Sequence, residues 1–512
     1  MKGTALIIGG GTGGLFTGAI LAKEGYAVTV LEKNINIGGG LQTFIRGGEE
    51  FETGMHIMGG LRDGGSIFKL CNWLGILDEL DIRDVDADCM DSIHCLADGV
   101  TYNIAEGREG FVRSLARYFP AEADNLKRYV QALYDLSQEV DFFYLRPRNE
   151  GPMSVHSEHF LQAADEFIAS YIEDAKLRDI LAYMNPMYGG VAHHTPAYIH
   201  ALINILYING PSRFAGGSAQ LALALQRVIE RQGGQVKGGK AVTRIEVCKR
   251  RIQYVETADG QRYTADKYIS AIHPCTLLAL MDETAFPRSY RNRLNEIPNS
   301  YSGFSVFVTF REGTFPYINH TCYCQDDYGL AWDYERYDES WPHGFMYMTP
   351  PAKEQGAYAR KLIVTTPMSF DAVRRWEHTR LGHRTKEYET WKSACAEKII
   401  SKLERIYPDI RSCIREIHTA SPLTIRDYYN IKEGSMYGFR KDCQNIALSQ
   451  LPIYTKIDNL LLTGQNVNLH GICGTPLTAI NTAEAIVGEY SIVKKINEEY
   501  NNKIKHSGYE ND

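Results

Sequence analysis

The chain has 512 residues, of which 44% are hydrophobic and 23% charged, with a net charge of −7. That length exceeds what one hydrophobic core usually organises, so two intimately joined domains are expected. The acidic balance without a basic block excludes an electrostatic footprint for nucleic acid, and no run reaches the ~18 consecutive apolar residues of a membrane span. A cytoplasmic protein, at most peripheral at a membrane, is the expectation.

The first element is an apolar run, Ala5-Leu6-Ile7-Ile8, that enters Gly9-Gly10-Gly11-Thr12-Gly13-Gly14. A helical stretch follows, then Ala27-Val28-Thr29-Val30-Leu31, closed by Glu32 and Lys33. Strand, glycine turn, helix, strand and acid make the βαβ unit that grips a dinucleotide. Gly9 permits the tight turn, Gly11 lets the backbone approach a pyrophosphate, and Gly14 lets the helix lie close on the strand. Thr12 and Gly13 open the helix, whose free N–H groups and positive dipole end face the phosphates. Glu32 is placed to accept bonds from an unphosphorylated ribose, which favours FAD or NAD over NADP.

A second glycine cluster, Gly38-Gly39-Gly40, precedes Leu41. A further point of close backbone approach after the ribose acid resembles the flavoprotein pattern and selects FAD. Residues 66–214 read as mostly helical, with helices expected over 109–118, 121–139, 159–172 and 177–182. Gly216-Gly217-Ser218 then starts a helix over 219–232. The alternating strand 241–247 carries Val242, whose main chain is expected near the adenine. A hairpin and a strand over 267–271 follow. Residues 286–455 mix strands, over 305–310 and 362–366, with a long amphipathic helix over 386–407. Leu460-Leu461-Leu462-Thr463-Gly464 returns as a buried strand, with a helix expected over 477–488. The pattern is an α/β fold. A Rossmann-type FAD-binding domain is assembled from 1–65, 215–285 and 456–492, an interleaved α+β substrate domain from 66–214 and 286–455, and 493–512 form a fraying helix and polar C-terminal tail.

The eleven cysteines are scattered without a CxxC pair; Cys322 and Cys324 share one face of a strand, and no second cluster completes a metal site. Reduced thiols and no metal are expected.

Four stretches carry a family resemblance. Phe51-Glu52-Thr53-Gly54-Met55-His56 with Gly59-Gly60 follows the glycine pair, and Pro211 to Leu225 opens a helix. Ser421-Pro422-Leu423-Thr424 stands with Arg426-Asp427-Tyr428 and Gly434-Ser435-Met436-Tyr437-Gly438. Thr463-Gly464-Gln465-Asn466 runs on to Gly471 and Gly474. In this order they resemble the flavoproteins that include amine oxidases and phytoene desaturases. Within them they are similar to the phytoene desaturase, carotenoid isomerase and retinol saturase group, from end to end. The resemblance implies an FAD-dependent oxidoreductase acting on carbon–carbon bonds of a polyene or lipid. It also implies a C-terminal flavin loop that includes Gly464, Gln465, Gly474 and Thr475. Two positions depart from the pattern. Gly40 stands where many relatives, amine oxidases among them, have Arg, and Gln465 where many have an acid.

Because the flavin carries the chemistry, few catalytic side chains are expected. His56 is the candidate to donate a bond or relay a proton beside the isoalloxazine, with a structural histidine as the equal alternative. His470 lies in the flavin loop. His193 and His194 are read as surface-loop histidines and Tyr188 as one tyrosine among many, each with a pocket-bordering position as the alternative, and Tyr207 reads as core. The helical and strand-rich inserts are expected to close an apolar tunnel, with Phe142-Phe143-Tyr144 as its lip and Gly471 to Thr475 as one wall. A lipid substrate implies peripheral membrane contact through an apolar patch. No second GxGxxG unit appears, so no separate nicotinamide site is expected and the redox partner is left unspecified. The alternatives are a flavin amine or amino-acid oxidase and, from another class, a non-catalytic escort-type lipid binder.

Overall fold

The structure, a computed structural model, describes residues 2–147 and 156–507. Its nucleotide layer is a parallel sheet in the order Gln235–Lys237, Ala27–Leu31, Thr4–Ile8, Lys267–Ser270, Leu460–Leu462. Both faces are covered, which explains why its strands read as unbroken apolar runs. Ala5 and Ile7 turn to one side and join a core with the helices Thr12–Lys23, Ala219–Arg231 and Gly471–Val487. Leu6 and Ile8 turn to the other and pack with Ile245, Ile252 and Val255 of the antiparallel hairpin Val242–Cys248 and Arg251–Thr257. Each such side chain, fully buried, stabilises by about 1.5–3 kcal/mol.

The second layer is a mixed sheet in the order Ile414–Ala420, Ser302–Phe310, Lys361–Met368, Gly344–Met348, Thr321–Gln325, Asp91–Cys95, Thr101–Ile104. Alternation again divides its faces. Phe304, Val306, Val308, Cys322 and Cys324 pack under the long helix Lys386–Ile406. Phe307, Tyr323, Met346 and Ile363 face the larger core, together with helices of the first insert such as Ala123–Gln138 and Ala197–Ile208.

Residues 66–214 are mostly helical, as expected, and two strands not foreseen there, Asp91–Cys95 and Thr101–Ile104, extend the second sheet, the former pairing in parallel with Thr321–Gln325. Asp91 and Ser92 are polar yet buried, so no apolar period announced that strand. The C-terminal residues, expected as a fraying helix and polar tail over 493–512, form the helix Ser491–Ser507, which buries Ile492, Val493 and Ile496 in the main core and lays Tyr500 against Asp63. Glu484 accepts the N–H groups of Ile492 and Val493 at 3.0 and 2.9 Å and fixes its start. Residues 508–512 lie outside the described residues. The helix expected over 477–488 begins earlier, at Gly471, and carries Pro476 within its span.

Candidate functional site

One cavity of about 430 Å³ runs from the carboxyl ends of the parallel strands to the second sheet. Its first end is built by the glycine turn. Gly9 has φ +104°, and a Cβ on Gly14 would lie 2.0 Å from the Gly9 carbonyl oxygen, so only glycine lets the helix sit on the turn. Gly11 differs: a Cβ there meets nothing nearer than the Gly39 Cα at 3.8 Å, because it faces open space. Gly11 is also the N-cap of Thr12–Lys23 and offers no side-chain cap, so the first-turn N–H groups beside Thr12 and Gly13 open onto the cavity.

Glu32 is buried at the tip of the second strand. Its carboxylate accepts the N–H of Gly10 at 2.8 Å and of Asn34 at 2.9 Å, which leaves acceptor capacity toward the cavity it lines. The Lys33 ammonium donates to the Asp427 carbonyl at 2.6 Å and so ties this end to the helix Pro422–Tyr429. The second glycine cluster packs on the first. Gly38 N–H donates to the Gly10 carbonyl at 2.7 Å, and Gly39, at φ +58°, would bring a Cβ to 3.0 Å from the Gly11 Cα. Gly39, Gly40, Leu41 and Val242 all reach the lining, as do Gly464, Gln465 and Thr475 from the C-terminal loop. Gly14 and Gly474 do not. Gly474 is a packing residue, since a Cβ there would sit 2.6 Å from that of Leu469.

His56 lies midway along the lining. Its Nδ1 is 2.8 Å from the Ser218 hydroxyl and 3.2 Å from the Glu52 carboxylate, and Glu52 also accepts the Ser218 N–H at 2.9 Å. That bracket leaves Nε2 directed past Gly54 and Gly40. The far end joins Pro186, Met187, Ile203 and Tyr207 from the first insert to Ser305, Met346, Thr365 and Pro367 from the second sheet, with Tyr437, His470, Ile472 and Cys473. Ile203 and Tyr207 lie one turn apart on Ala197–Ile208. His200 and Asn204 turn the other way, where His200 bonds the Tyr129 and Tyr188 hydroxyls at 2.6 and 2.9 Å.

Several candidates therefore fall elsewhere. Tyr188 belongs to that buried network. His193 and His194 pair with Asp165 and Asp442 away from the cavity, at 2.9 and 3.1 Å. Phe142, Phe143 and Tyr144 lie on a short turn that does not reach the lining, so the tunnel lip expected there is not formed by them. Tyr207, expected in the core, is a wall residue. The interrupted apolar run was its signal, because His200 and Asn204 mark by their spacing which face is not the cavity face.

The model of the flavin containing amine oxidoreductase family matches residues 12–487. The chain belongs to this family. It is an FAD-dependent oxidoreductase, with the Rossmann-type α/β fold that the N-terminal motif implied. It is 26% identical to the all-trans-retinol 13,14-reductase of Homo sapiens, over 96% of this chain and 87% of the relative. It is 22% identical to prolycopene isomerase 1, chloroplastic, of an Oncidium hybrid cultivar, over 96% and 85%. Among solved structures, putrescine oxidase bound to putrescine matches in fold with a TM-score of 0.65 at 15% identity, covering 95% of this chain and 99% of that one. The first end of the cavity fits FAD on its own geometry: an open glycine face, an uncapped helix N-terminus and a fixed carboxylate in sequence.

Proposed function

We propose that the protein moves hydrogen to or from a carbon–carbon bond of a polyene or related lipid, or isomerises it. In this reading FAD lies along the cavity with its adenosine by Val242 and Glu32. Its pyrophosphate lies over Gly9, Gly11, Thr12, Gly13 and Gly39, close to Gly40, Leu41 and Lys33, and its reactive ring lies between His56 and the loop of Gly464, Gln465 and Thr475. Residues 1–65, 215–285 and 456–492 then act as the FAD-binding domain and the two inserts as the substrate domain. The cofactor supplies hydride exchange at carbon. The chain's own residues bind, exclude water and place one imidazole, whose Nε2 is held toward the cavity by Glu52 and Ser218 and can hold or pass a proton.

The observation that carries the substrate class is the charge distribution. Among the described lining residues the only lysines are Lys33 and Lys240 and the only acid is Glu32; Lys240 donates its N–H to the Glu32 carbonyl, which puts all three at the adenosine end. A cationic amine would find no carboxylate at the far end, which favours a hydrocarbon over the amine-oxidase reading. Burying roughly 500 Å² of apolar surface at ~25 cal/mol/Å² gives about 12 kcal/mol gross, comparable with the ~4–15 kcal/mol cost of association. The names of the relatives, a retinol reductase and a prolycopene isomerase, agree with this class.

No helix among the described residues is long and apolar enough to cross a membrane. A lipid substrate must nonetheless be collected, and Ile35 and Tyr428, exposed at the adenosine end beside Asn34, supply apolar surface for a peripheral contact by a cytoplasmic enzyme. Flotation with neutral liposomes tests this, and binding abolished by moderate salt alone counts against it. For the reaction, oxidised and photoreduced holoenzyme is incubated anaerobically with retinoids, carotenoids, unsaturated fatty acids and amines. Flavin bleaching or reoxidation with a polyene is the expected result; response to amines alone overturns it.

A further inference from the structure

His470 is a buried polar side chain of the cavity wall that the function above does not use. It is 4% exposed, stands at the N-cap of Gly471–Val487, and makes no bond to that helix's N–H groups. Neither ring nitrogen has a hydrogen-bond partner. The ring packs edge-on against Tyr437, with centroids 5.3 Å apart, and the Tyr437 hydroxyl proton is committed to the Pro186 carbonyl at 2.7 Å. The Tyr188 carbonyl faces the ring outside hydrogen-bond geometry. Burial, and next the charge of Lys441, push the imidazole down to about 3, so it is neutral at any physiological pH. A neutral ring carries one donor and one acceptor, and leaving both desolvated without partners costs more than a bond to them gains. An atom of the bound molecule must meet them.

Two molecules share this cavity, and the position of the ring chooses between them. Tyr437 and Pro186 hold it on the side of the first insert, away from the glycine turns that fit the cofactor's phosphates. Lys441 is close enough for its charge to reach the ring but does not line the cavity, and no other charged side chain lines that end. The charge of Lys441 repels an ammonium headgroup there, and an uncharged oxygen can meet the ring's donor and acceptor without the cost of desolvating a charge.

We propose that His470 is the specificity-determining residue of the apolar end, where its imidazole hydrogen-bonds one uncharged oxygen, a hydroxyl or carbonyl, of an otherwise hydrocarbon substrate. The proposal rests on the polyene reading of the cavity. It makes the enzyme selective for a polyene alcohol or aldehyde over the hydrocarbon of the same length.

The test uses holoenzyme and two probes, all-trans-retinol and its analogue with a methyl group in place of the terminal CH₂OH, titrated against the visible flavin spectrum. Wild type binds the alcohol more tightly. His470→Leu weakens the alcohol about tenfold and leaves the hydrocarbon unchanged, while His470→Gln recovers most of the loss. FAD content, the ligand-free spectrum and the reduction potential stay those of wild type in each. His470→Phe, which keeps a planar ring, gives the same comparison should the leucine variant fold poorly. Equal weakening of both probes, or no preference in wild type, overturns the proposal. A changed potential without ligand also overturns it, by assigning the ring to the flavin. If neither probe perturbs wild-type flavin, the polyene reading itself fails and takes this inference with it.

Discussion

The two ends of the cavity are made differently. The first end comes mainly from one local stretch, Gly9 to Gly40, joined by Lys240 and Val242, and is shaped by backbone: positive φ at Gly9 and Gly39, the Gly10 N–H on one Glu32 oxygen and the Asn34 N–H on the other, and glycine faces in contact. The far end is side chain. It gathers Ile203 and Tyr207, Met346 and Pro367, Tyr437, and His470 with Ile472 from four distant stretches. Backbone geometry restricts residue type severely, whereas an apolar wall accepts many residues of similar volume. Substitutions at the first end should therefore be unforgiving and those at the second mild.

The largest effect is expected at Gly14. Gly14→Ala places a methyl group 2.0 Å from the Gly9 carbonyl, which forces the turn and helix apart and costs about 3 kcal/mol or more in urea denaturation. Gly11→Val is its counterpart. Its Cβ meets no protein atom nearer than 3.8 Å, so the chain should fold, yet it purifies without the yellow absorption bands of bound flavin. A variant that keeps its FAD would move the pyrophosphate away from this turn.

That pair also explains what was legible. The sequence pattern of glycines, strand and acid implies the βαβ unit because each position has one physical reason to be what it is. It does not separate Gly11, which faces the cavity, from Gly14 and Gly474, which face the protein, since both demands select glycine. Of the far wall, His470 was named from its loop and Tyr437 from the segment Gly434 to Gly438, but Met187 and Met346 were not, because nothing in an apolar residue distinguishes a wall from a core. Asp91–Cys95 went unread for a related reason, because its polar residues are buried, and the C-terminal helix was expected to fray because exposed polar residues outnumber its stripe of Ile492, Ile496 and Tyr500.

The next effect sharpens the assignment of the first end. Glu32→Gln keeps the size of the side chain but replaces one acceptor oxygen by an NH₂ group, facing an N–H of Gly10 or Asn34 or a ribose hydroxyl. FAD affinity should fall by about 1–3 kcal/mol, read from the dissociation constant of reconstituted apoprotein. Unchanged affinity would place the ribose elsewhere.

A third expectation concerns the back of the far wall. His200 is fully buried and pushed down to about 3 by desolvation, against 6.5 for an exposed imidazole. The unfolded chain takes up a proton there that the folded chain refuses, so this stability is present above pH 6.5 and is lost as pH falls toward 3. Between pH 7.5 and 5.5 the loss is about 1.4 kcal/mol. His200→Gln, able to keep bonds to Tyr129 and Tyr188, should show a stability–pH slope shallower by that amount; an unaltered slope would mean that water reaches this helix.

The smallest effects should lie on the cavity face of the same helix, and they test the comparison most directly. Tyr207→Phe removes a hydroxyl that donates to the Ile57 carbonyl at 3.1 Å, worth about 1 kcal/mol to the fold. Ile203→Val removes one methylene from the wall, about 0.8 kcal/mol of apolar contact if a substrate covers it, or roughly a fourfold rise in KM for a polyene. Neither touches the glycine turns, so both variants should purify with full FAD and an unshifted flavin spectrum. Loss of FAD comparable with that of Gly11→Val would erase the distinction between the ends. A KM indifferent to both would leave the two positions in a cavity that the substrate does not enter.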